Sequence, residues 1–138
     1  MSNNTNQQAG GRPRVFVYGT LKKGEANHYA LSGDDCTLLG TAILNGNYQF
    51  NDLGWYPAVI EVPGEVHTSI RGEVYEISPE VLSALDIIEG HPHYYRRSKL
   101  PKIGRFKNTW VYTLPNGFAG QGEPVRDGGN WSGVQDVG

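Results

Sequence analysis

The chain has 138 residues, a formal net charge of −2 and one cysteine, Cys36. This length suits one domain, the charge gives no support to nucleic-acid binding, and one cysteine excludes an intramolecular disulfide. The 19 glycines and 8 prolines favour turns and short strands over helix, while 8 tyrosines and 3 tryptophans suit β-structure and a lined pocket.

The N-terminal residues 1–13 contain no apolar run, so we expect a disordered polar tail that is neither a signal peptide nor a membrane span. Residues 14–138 are predicted to form a single domain, whose segment from about residue 115 is irregular and Gly-rich. Because no export signal is evident, the expected location is cytoplasmic, with no membrane partner.

The first predicted strand runs from Arg14 to Tyr18 and ends abruptly at a Gly-Thr turn. Such a junction leaves backbone N–H groups without strand partners, here those around Gly19, Thr20 and Leu21. Free amides gathered in this way can bind a carboxylate or a developing oxyanion. The alternative is an ordinary turn after an N-terminal strand.

Short strands and turns fill most of the remaining chain. We predict a short helix at residues 26–31, strands at 36–44 and 48–50, a strand that follows Pro57 and runs to Val62, and a strand at 66–77. A hairpin is expected from residues 95–100 and 107–114, across a turn at 101–104. Its basic side chains are best explained as a solvated sheet face.

One amphipathic helix carries the clearest local signals. Ser78 is a good N-cap, Pro79 suits the first helical position and Gly90 ends the helix. Its apolar stripe comprises Val81, Leu85 and Ile88. Many short strands with two helices indicate an α+β fold, a small mixed β-barrel with peripheral short helices.

Glu89 lies in the last turn of this helix. The negative end of the helix dipole and burial against Tyr94 and Tyr95 would both raise the pKa of its carboxyl group toward neutrality. A carboxyl with such a pKa suits an acid/base that moves protons. The alternative is a surface carboxylate exposed to solvent.

The pattern VFVYGTLKKG at residues 15–24, followed by LDIIEG at 85–90 and by Tyr95-Arg96-Arg97, closely resembles the γ-glutamylcyclotransferase-like family. Its γ-glutamylamine cyclotransferase branch and the AIG2-like proteins are nearest. The resemblance implies a closed, mixed β-barrel with its pocket at one end. It also implies an enzyme that cyclises a γ-glutamyl compound to 5-oxoproline and releases an amine, with no cofactor and no metal.

The resemblance assigns roles to individual residues. Glu89 matches the catalytic glutamate, while the amides of Gly19, Thr20 and Leu21 would hold either the oxyanion or the substrate α-carboxylate. Tyr18 either reaches the substrate through its hydroxyl or packs in the core.

Three further residues are expected to support the fold. Arg97 is expected to pair with a carboxylate, Asp86 to face solvent or brace the helix, and Tyr112 to pack in the core or line the pocket.

Alternatives remain open at this stage. His91 and His93 have metal-like spacing but no third ligand accompanies them, so we expect no metal site. The fold could instead be a non-catalytic binding module for a glutamate-like metabolite, or a protein-interaction domain that uses the basic hairpin. The partner is expected to be a small γ-glutamyl molecule. A γ-glutamyl amine is favoured over a γ-glutamyl amino acid, and whether the chain is a monomer or a dimer is open.

Overall fold

The computed structural model describes residues 11–64, 67–126 and 128–133, so most of the N-terminal tail predicted from the sequence lies outside the described residues. The strands are β1 (Arg14–Val17), β2 (Cys36–Asp52), β3 (Pro57–Glu61), β4 (His67–Ile77), β5 (Arg96–Ile103), β6 (Phe106–Thr113) and β7 (Glu123–Pro124). The α-helix α1 spans Pro79–Glu89, and short 3₁₀ helices span His28–Leu31 and Asn116–Phe118. No helix within these ranges is long and apolar enough to cross a membrane.

The strands form one mixed sheet in the order β3-β2-β4-β1-β6-β5, and β7 pairs with β2 outside that path. The central strand β1 is antiparallel to β4 and parallel to β6. An isolated parallel bridge between Ile60 and Leu114 joins β3 to the end of β6. The α+β class is therefore confirmed, whereas the described strands do not close into a continuous ladder, so the sheet is a barrel only in a loose sense.

The central strand β1 carries apolar side chains on both faces of the sheet. Successive side chains of a strand point to opposite faces, and all those near the end of β1 are apolar or aromatic. Val15 and Val17 of β1 belong to the core cluster that packs beneath α1. Phe16 and the following Tyr18 belong to a second cluster on the opposite face. The end of β1 is consequently held on both sides, and this anchors the turn that follows it.

Helix α1 begins and ends where the sequence predicts. The Ser78 hydroxyl accepts a hydrogen bond from the Val81 N–H at 3.1 Å, and Pro79 is the first helical residue. Gly90 has a left-handed conformation with φ of 71°, which glycine adopts without the steric cost of a Cβ atom. The burial of Leu85 fixes the helix against the sheet and leaves Glu89 at its C-terminal end.

Two elements differ from the sequence-based expectation. The predicted strands at 36–44 and 48–50 are one strand, because residues 45–47, which look like turn residues, pair with residues 67–69 of β4. The predicted helix at 26–31 is only a 3₁₀ helix at His28–Leu31. A segment this short cannot repay the cost of nucleating an α-helix.

The hairpin also shifts. Strand β5 extends to Ile103, and the turn lies at Gly104 and Arg105 instead of at residues 101–104.

Candidate active site

A cavity of about 440 Å³ lies where the end of β1 meets the end of α1. Its walls are mostly apolar or aromatic, with backbone amides on one side and one carboxyl group on the other. The lining residues are Phe16, Val17, Tyr18, Gly19, Thr20, Leu21, Ala26, Asn27, Trp55, Tyr56, Pro57, Ile88, Glu89, Tyr94, Tyr95 and Tyr112. All five site residues predicted from the sequence, Tyr18, Gly19, Thr20, Leu21 and Glu89, therefore line one cavity.

A tight turn supplies the amide side of the cavity. The Lys22 N–H donates to the Gly19 carbonyl at 3.0 Å, which closes the turn over Thr20 and Leu21. Among the described residues, none accepts a hydrogen bond from the N–H groups of Gly19, Thr20 or Leu21. These three donors are available to a ligand in the cavity.

Gly19 has a steric reason to be glycine. A Cβ atom at this position would lie 2.7 Å from Cγ of Pro57, closer than van der Waals contact allows. From the other side, the Asn27 side chain donates to Thr20 Oγ1 at 3.0 Å, and the Asn27 N–H donates to the Thr20 carbonyl at 2.8 Å. The turn is thus clamped between β3 and the chain that precedes the 3₁₀ helix at His28–Leu31.

Glu89 supplies the carboxyl group. Its side chain forms no hydrogen bond or ion pair with any residue that the structure describes. Burial raises the pKa of the Glu89 carboxyl from 4.5 to about 7, because a charged carboxylate loses water without gaining a partner. At neutral pH this group therefore populates both protonation states, as an acid/base that accepts and returns a proton requires.

Tyr18 has its ring on the cavity wall and its hydroxyl engaged inside the protein. The hydroxyl donates to the Tyr112 carbonyl at 2.6 Å and accepts from the Val59 N–H at 3.4 Å. Burial, with the nearby Glu89 carboxylate, raises the pKa of Tyr18 well above its usual value. The hydroxyl is therefore neutral at physiological pH and is held by backbone groups.

Asp86, one turn before Glu89, joins α1 to the sheet. Its two carboxylate oxygens accept from Arg97 Nε at 2.8 Å and Nη2 at 3.0 Å, in a bidentate ion pair. The Tyr112 hydroxyl donates to the same carboxylate at 2.7 Å. The prediction that Arg97 pairs with a carboxylate is confirmed, and Asp86 braces the helix against β5 and β6.

An aromatic wall also lines the cavity; the sequence predicted that Tyr94 and Tyr95 bury Glu89 but did not predict Trp55 and Tyr56 as part of the site. The Tyr56 and Tyr94 hydroxyls lie 2.7 Å apart and share a hydrogen bond, and the Tyr95 hydroxyl donates to the Pro57 carbonyl at 2.5 Å. Trp55 also lines the cavity, although its side chain is 91% exposed. The sequence signal for Trp55 and Tyr56 is their position, as two aromatic residues directly before Pro57 and the buried strand β3.

Within the described ranges, no three His, Cys, Asp or Glu side chains lie close enough to hold a metal ion. The histidines have other contacts. His28 Nδ1 lies 3.0 Å from the Leu21 carbonyl, and His91 Nδ1 accepts from the Arg97 N–H at 3.0 Å. Both rings thus stabilise chain segments next to the cavity.

Comparison with known proteins places the chain in a family. Residues 15–133 match the family model described as γ-glutamyl cyclotransferase, AIG2-like. A Vibrio cholerae protein, whose name assigns it provisionally to the γ-glutamylcyclotransferases, is 41% identical over 71% of this chain and 78% of its own. The γ-glutamylaminecyclotransferase of Rattus norvegicus is 32% identical over 62% of this chain and 60% of its own.

A solved structure shares the fold. The crystal structure of an AIG2-like protein from Mus musculus superposes with a TM-score of 0.65, at 27% identity, over 77% of this chain and 79% of that one. The match to the family model covers the strand-turn segment, the helix and Glu89 alike. On this evidence the chain belongs to the γ-glutamyl cyclotransferase, AIG2-like family.

Proposed function

We propose that this γ-glutamylcyclotransferase-type enzyme cyclises a γ-glutamyl amine to 5-oxoproline and releases the amine, with Glu89 as its acid/base. One observation carries the proposal: a carboxyl with a pKa of about 7 lines the same cavity as three backbone N–H groups, and neither has a hydrogen-bond partner in the part of the chain that the structure describes. The first can move a proton and the second can hold a negative charge.

The reaction is an intramolecular aminolysis. The Glu89 carboxylate takes a proton from the substrate α-ammonium group, and the freed amine attacks the side-chain amide carbonyl carbon. A five-membered ring forms with a tetrahedral oxyanion. The protonated Glu89 then gives its proton to the leaving nitrogen, and the carbon–nitrogen bond breaks. The Glu89 carboxylate takes the second proton from the ring nitrogen and passes it to the released amine, so 5-oxoproline and an ammonium ion leave, Glu89 is regenerated, and no water or oxidant is consumed.

The turn and the walls supply binding and orientation. The N–H groups of Gly19, Thr20 and Leu21 hold either the oxyanion or the α-carboxylate. The surrounding aromatic rings keep the flexible substrate folded, which brings the amine to its own carbonyl. Such positioning contributes several kcal/mol to rate enhancement in general.

The choice of a γ-glutamyl amine rests on the lining and on the relatives. A γ-glutamyl amino acid carries a second carboxylate, on the leaving amino acid next to the amide bond that breaks. No Lys, Arg or His is among the described residues that line the cavity, so no cationic side chain there can pair with this carboxylate. The rat relative is named for γ-glutamylamines. Amines without a nearby carboxylate are thus the substrates that this wall fits best.

The test is the release of 5-oxoproline from γ-glutamyl-ε-lysine, γ-glutamyl-alanine and glutathione. Glu89→Gln removes the titrating group with little change of shape, and kcat/KM should fall by about 10²–10⁴-fold. Glu80→Gln is the matched control, since Glu80 is an exposed carboxylate in the first turn of the same helix and should retain wild-type rates. In the wild type, kcat/KM should decline below a pH of about 7, where Glu89 is protonated.

Two results would count against the proposal. Full activity in Glu89→Gln would remove Glu89 from its role. Tight binding of the γ-glutamyl compounds, with no 5-oxoproline released from any of them, would favour the non-catalytic binding module instead.

A further inference from the structure

A buried lysine lies directly after the turn that lines the active-site cavity. The Lys22 side chain is only 7% exposed, and its ammonium donates to Asn130 Oδ1 at 2.8 Å and to the Trp131 carbonyl at 2.6 Å. No carboxylate of the described residues forms an ion pair with it. A buried cation is costly unless its hydrogen bonds are made, so these two charge-assisted bonds fix the side chain in place.

The segment that receives Lys22 comprises residues 128–133 and is called here the C-terminal strap. One end is tied to β4, where the Arg71 N–H donates to the Gly129 carbonyl and Arg71 Nε to the Gly128 carbonyl, both at 2.8 Å. In its middle, Trp131 is 3% exposed and packs in the core cluster that also contains Tyr18. The strap is therefore anchored to the sheet and to the core as a support, and it is not part of the cavity lining.

Two consecutive turns are attached to this support. The first is closed by the Lys22 N–H on the Gly19 carbonyl, and the second by the Glu25 N–H on the Lys22 carbonyl, each at 3.0 Å. Glu25 is bound to the strap as well, because its Oε1 accepts from the Gly133 N–H at 3.0 Å. Each turn thus ends at a residue whose side chain is held by the strap.

We propose that Lys22 is a positioning residue, whose buried ammonium locks the turn at residues 19–22 to the C-terminal strap and so keeps the free N–H groups of that turn in place for the substrate. This inference rests on the proposed function, because the N–H groups matter only if they hold the substrate or its oxyanion. Lys22 acts through the backbone of the turn and does not touch the cavity.

The experiment compares Lys22→Met, which keeps the length of the stem but removes the ammonium, with Lys23→Met. Lys23 is the exposed neighbour and is the matched control. In Lys22→Met, kcat/KM for 5-oxoproline release should fall by about 10–100-fold, since misplacing a binding group by about 1 Å has an effect of that size. The pH at which kcat/KM declines should stay at the wild-type value, because Glu89 is untouched.

Amide hydrogen exchange supplies a readout that does not depend on activity. Exchange should accelerate in Lys22→Met at the backbone amides of residues 22, 25 and 27, whose hydrogen bonds close and clamp the two turns, while the amides of α1 keep wild-type rates. A variant that merely loosened the whole fold would accelerate both.

A second pair covers the case in which Lys22→Met does not fold. Asn130 is exposed, so Asn130→Ala should fold and show the same effects more weakly. Asn130→Asp keeps an acceptor for the ammonium and should have wild-type kcat/KM and wild-type exchange rates. Folded Lys22→Met or Asn130→Ala protein with wild-type kcat/KM and wild-type exchange at the backbone amides of residues 22, 25 and 27 would overturn the inference. If wild-type protein released no 5-oxoproline, the proposed function would fail, and the exchange data alone would still decide whether Lys22 holds the turn.

Discussion

Two carboxylates one helical turn apart on α1 lie in regions of opposite character. Asp86 faces the sheet, where the Arg97 guanidinium and the Tyr112 hydroxyl give it three hydrogen bonds. Glu89 faces the cavity, has no partner among the described residues, and has its pKa raised to about 7 by burial. The contrast shows how one helix can both attach to the fold and present a carboxyl with a raised pKa to a cavity. A carboxylate whose hydrogen bonds are made stabilises the fold, whereas one buried without them can gain and lose a proton near neutral pH.

The largest expected effect on stability comes from removing the satisfied carboxylate. Asp86→Ala should lower the free energy of unfolding by about 3–4 kcal/mol, because it leaves a partly buried guanidinium and a hydroxyl without their acceptor. Urea denaturation at pH 7 measures this. Glu80→Ala, on the exposed first turn of α1, should cost less than about 1 kcal/mol. Equal losses in the two variants would mean that Asp86 has no special role.

Replacing Glu89, the carboxylate without a partner among the described residues, should raise the free energy of unfolding where replacing Asp86 lowers it. Because the pKa of Glu89 is about 7 in the folded protein and 4.5 for an ordinary solvated glutamate, the native state binds the extra proton, and wild-type stability falls as the pH rises between these values. Glu89→Gln lacks this loss. Its free energy of unfolding should equal that of the wild type near pH 4 and exceed it by about 3 kcal/mol at pH 8.

Urea denaturation at pH 4, 6 and 8 provides the measurement for Glu89→Gln, with Glu80→Gln as the control. A gap that does not widen with pH would show that Glu89 is solvated in the native state. The contrast between the two carboxylates would then be lost, because Asp86 would be stabilised by its hydrogen bonds and Glu89 by water.

The smallest effect is expected where the charge is kept and only the geometry changes. Arg97→Lys preserves the ion pair with Asp86 but cannot form two parallel hydrogen bonds or stack its guanidinium on Trp110, which lies 4.2 Å away. We expect a loss of about 1 kcal/mol in the free energy of unfolding. The exposed neighbour Arg96 is the control, and Arg96→Lys should be neutral. A loss of unfolding free energy as large as that of Asp86→Ala would indicate that the two parallel hydrogen bonds of the guanidinium, and not its charge, brace the helix.

Local chemistry made several features predictable from the sequence. The N-cap, the first-turn proline and the terminal glycine of α1 act within a few residues, so its bounds at Pro79 and Glu89 followed from the sequence. The apolar run that ends at Gly19 likewise located the turn. The sequence therefore located Glu89 and the amide turn in the chain, but it did not show that the two lie close together.

Long-range contacts decided the rest. The continuity of β2 through residues 45–47 depends on pairing with β4, which overrides the local preference of Asn and Gly for turns. The partners Asp86 and Tyr112 are 26 residues apart, and Tyr56 and Tyr94 are 38 apart. No local pattern specifies such pairs, because only the packing of the sheet brings them together.

The sequence by itself determined which residues are candidates for the chemistry, since the motifs around Gly19 and Glu89 are short and local. Only the tertiary structure decided that these motifs share a cavity of about 440 Å³, and that Asp86 is paired while Glu89 has no partner within the described ranges. The physical reason is that the pKa of a carboxyl depends on burial and on partners that are distant in sequence. The identity of a residue is local, whereas its environment belongs to the whole fold.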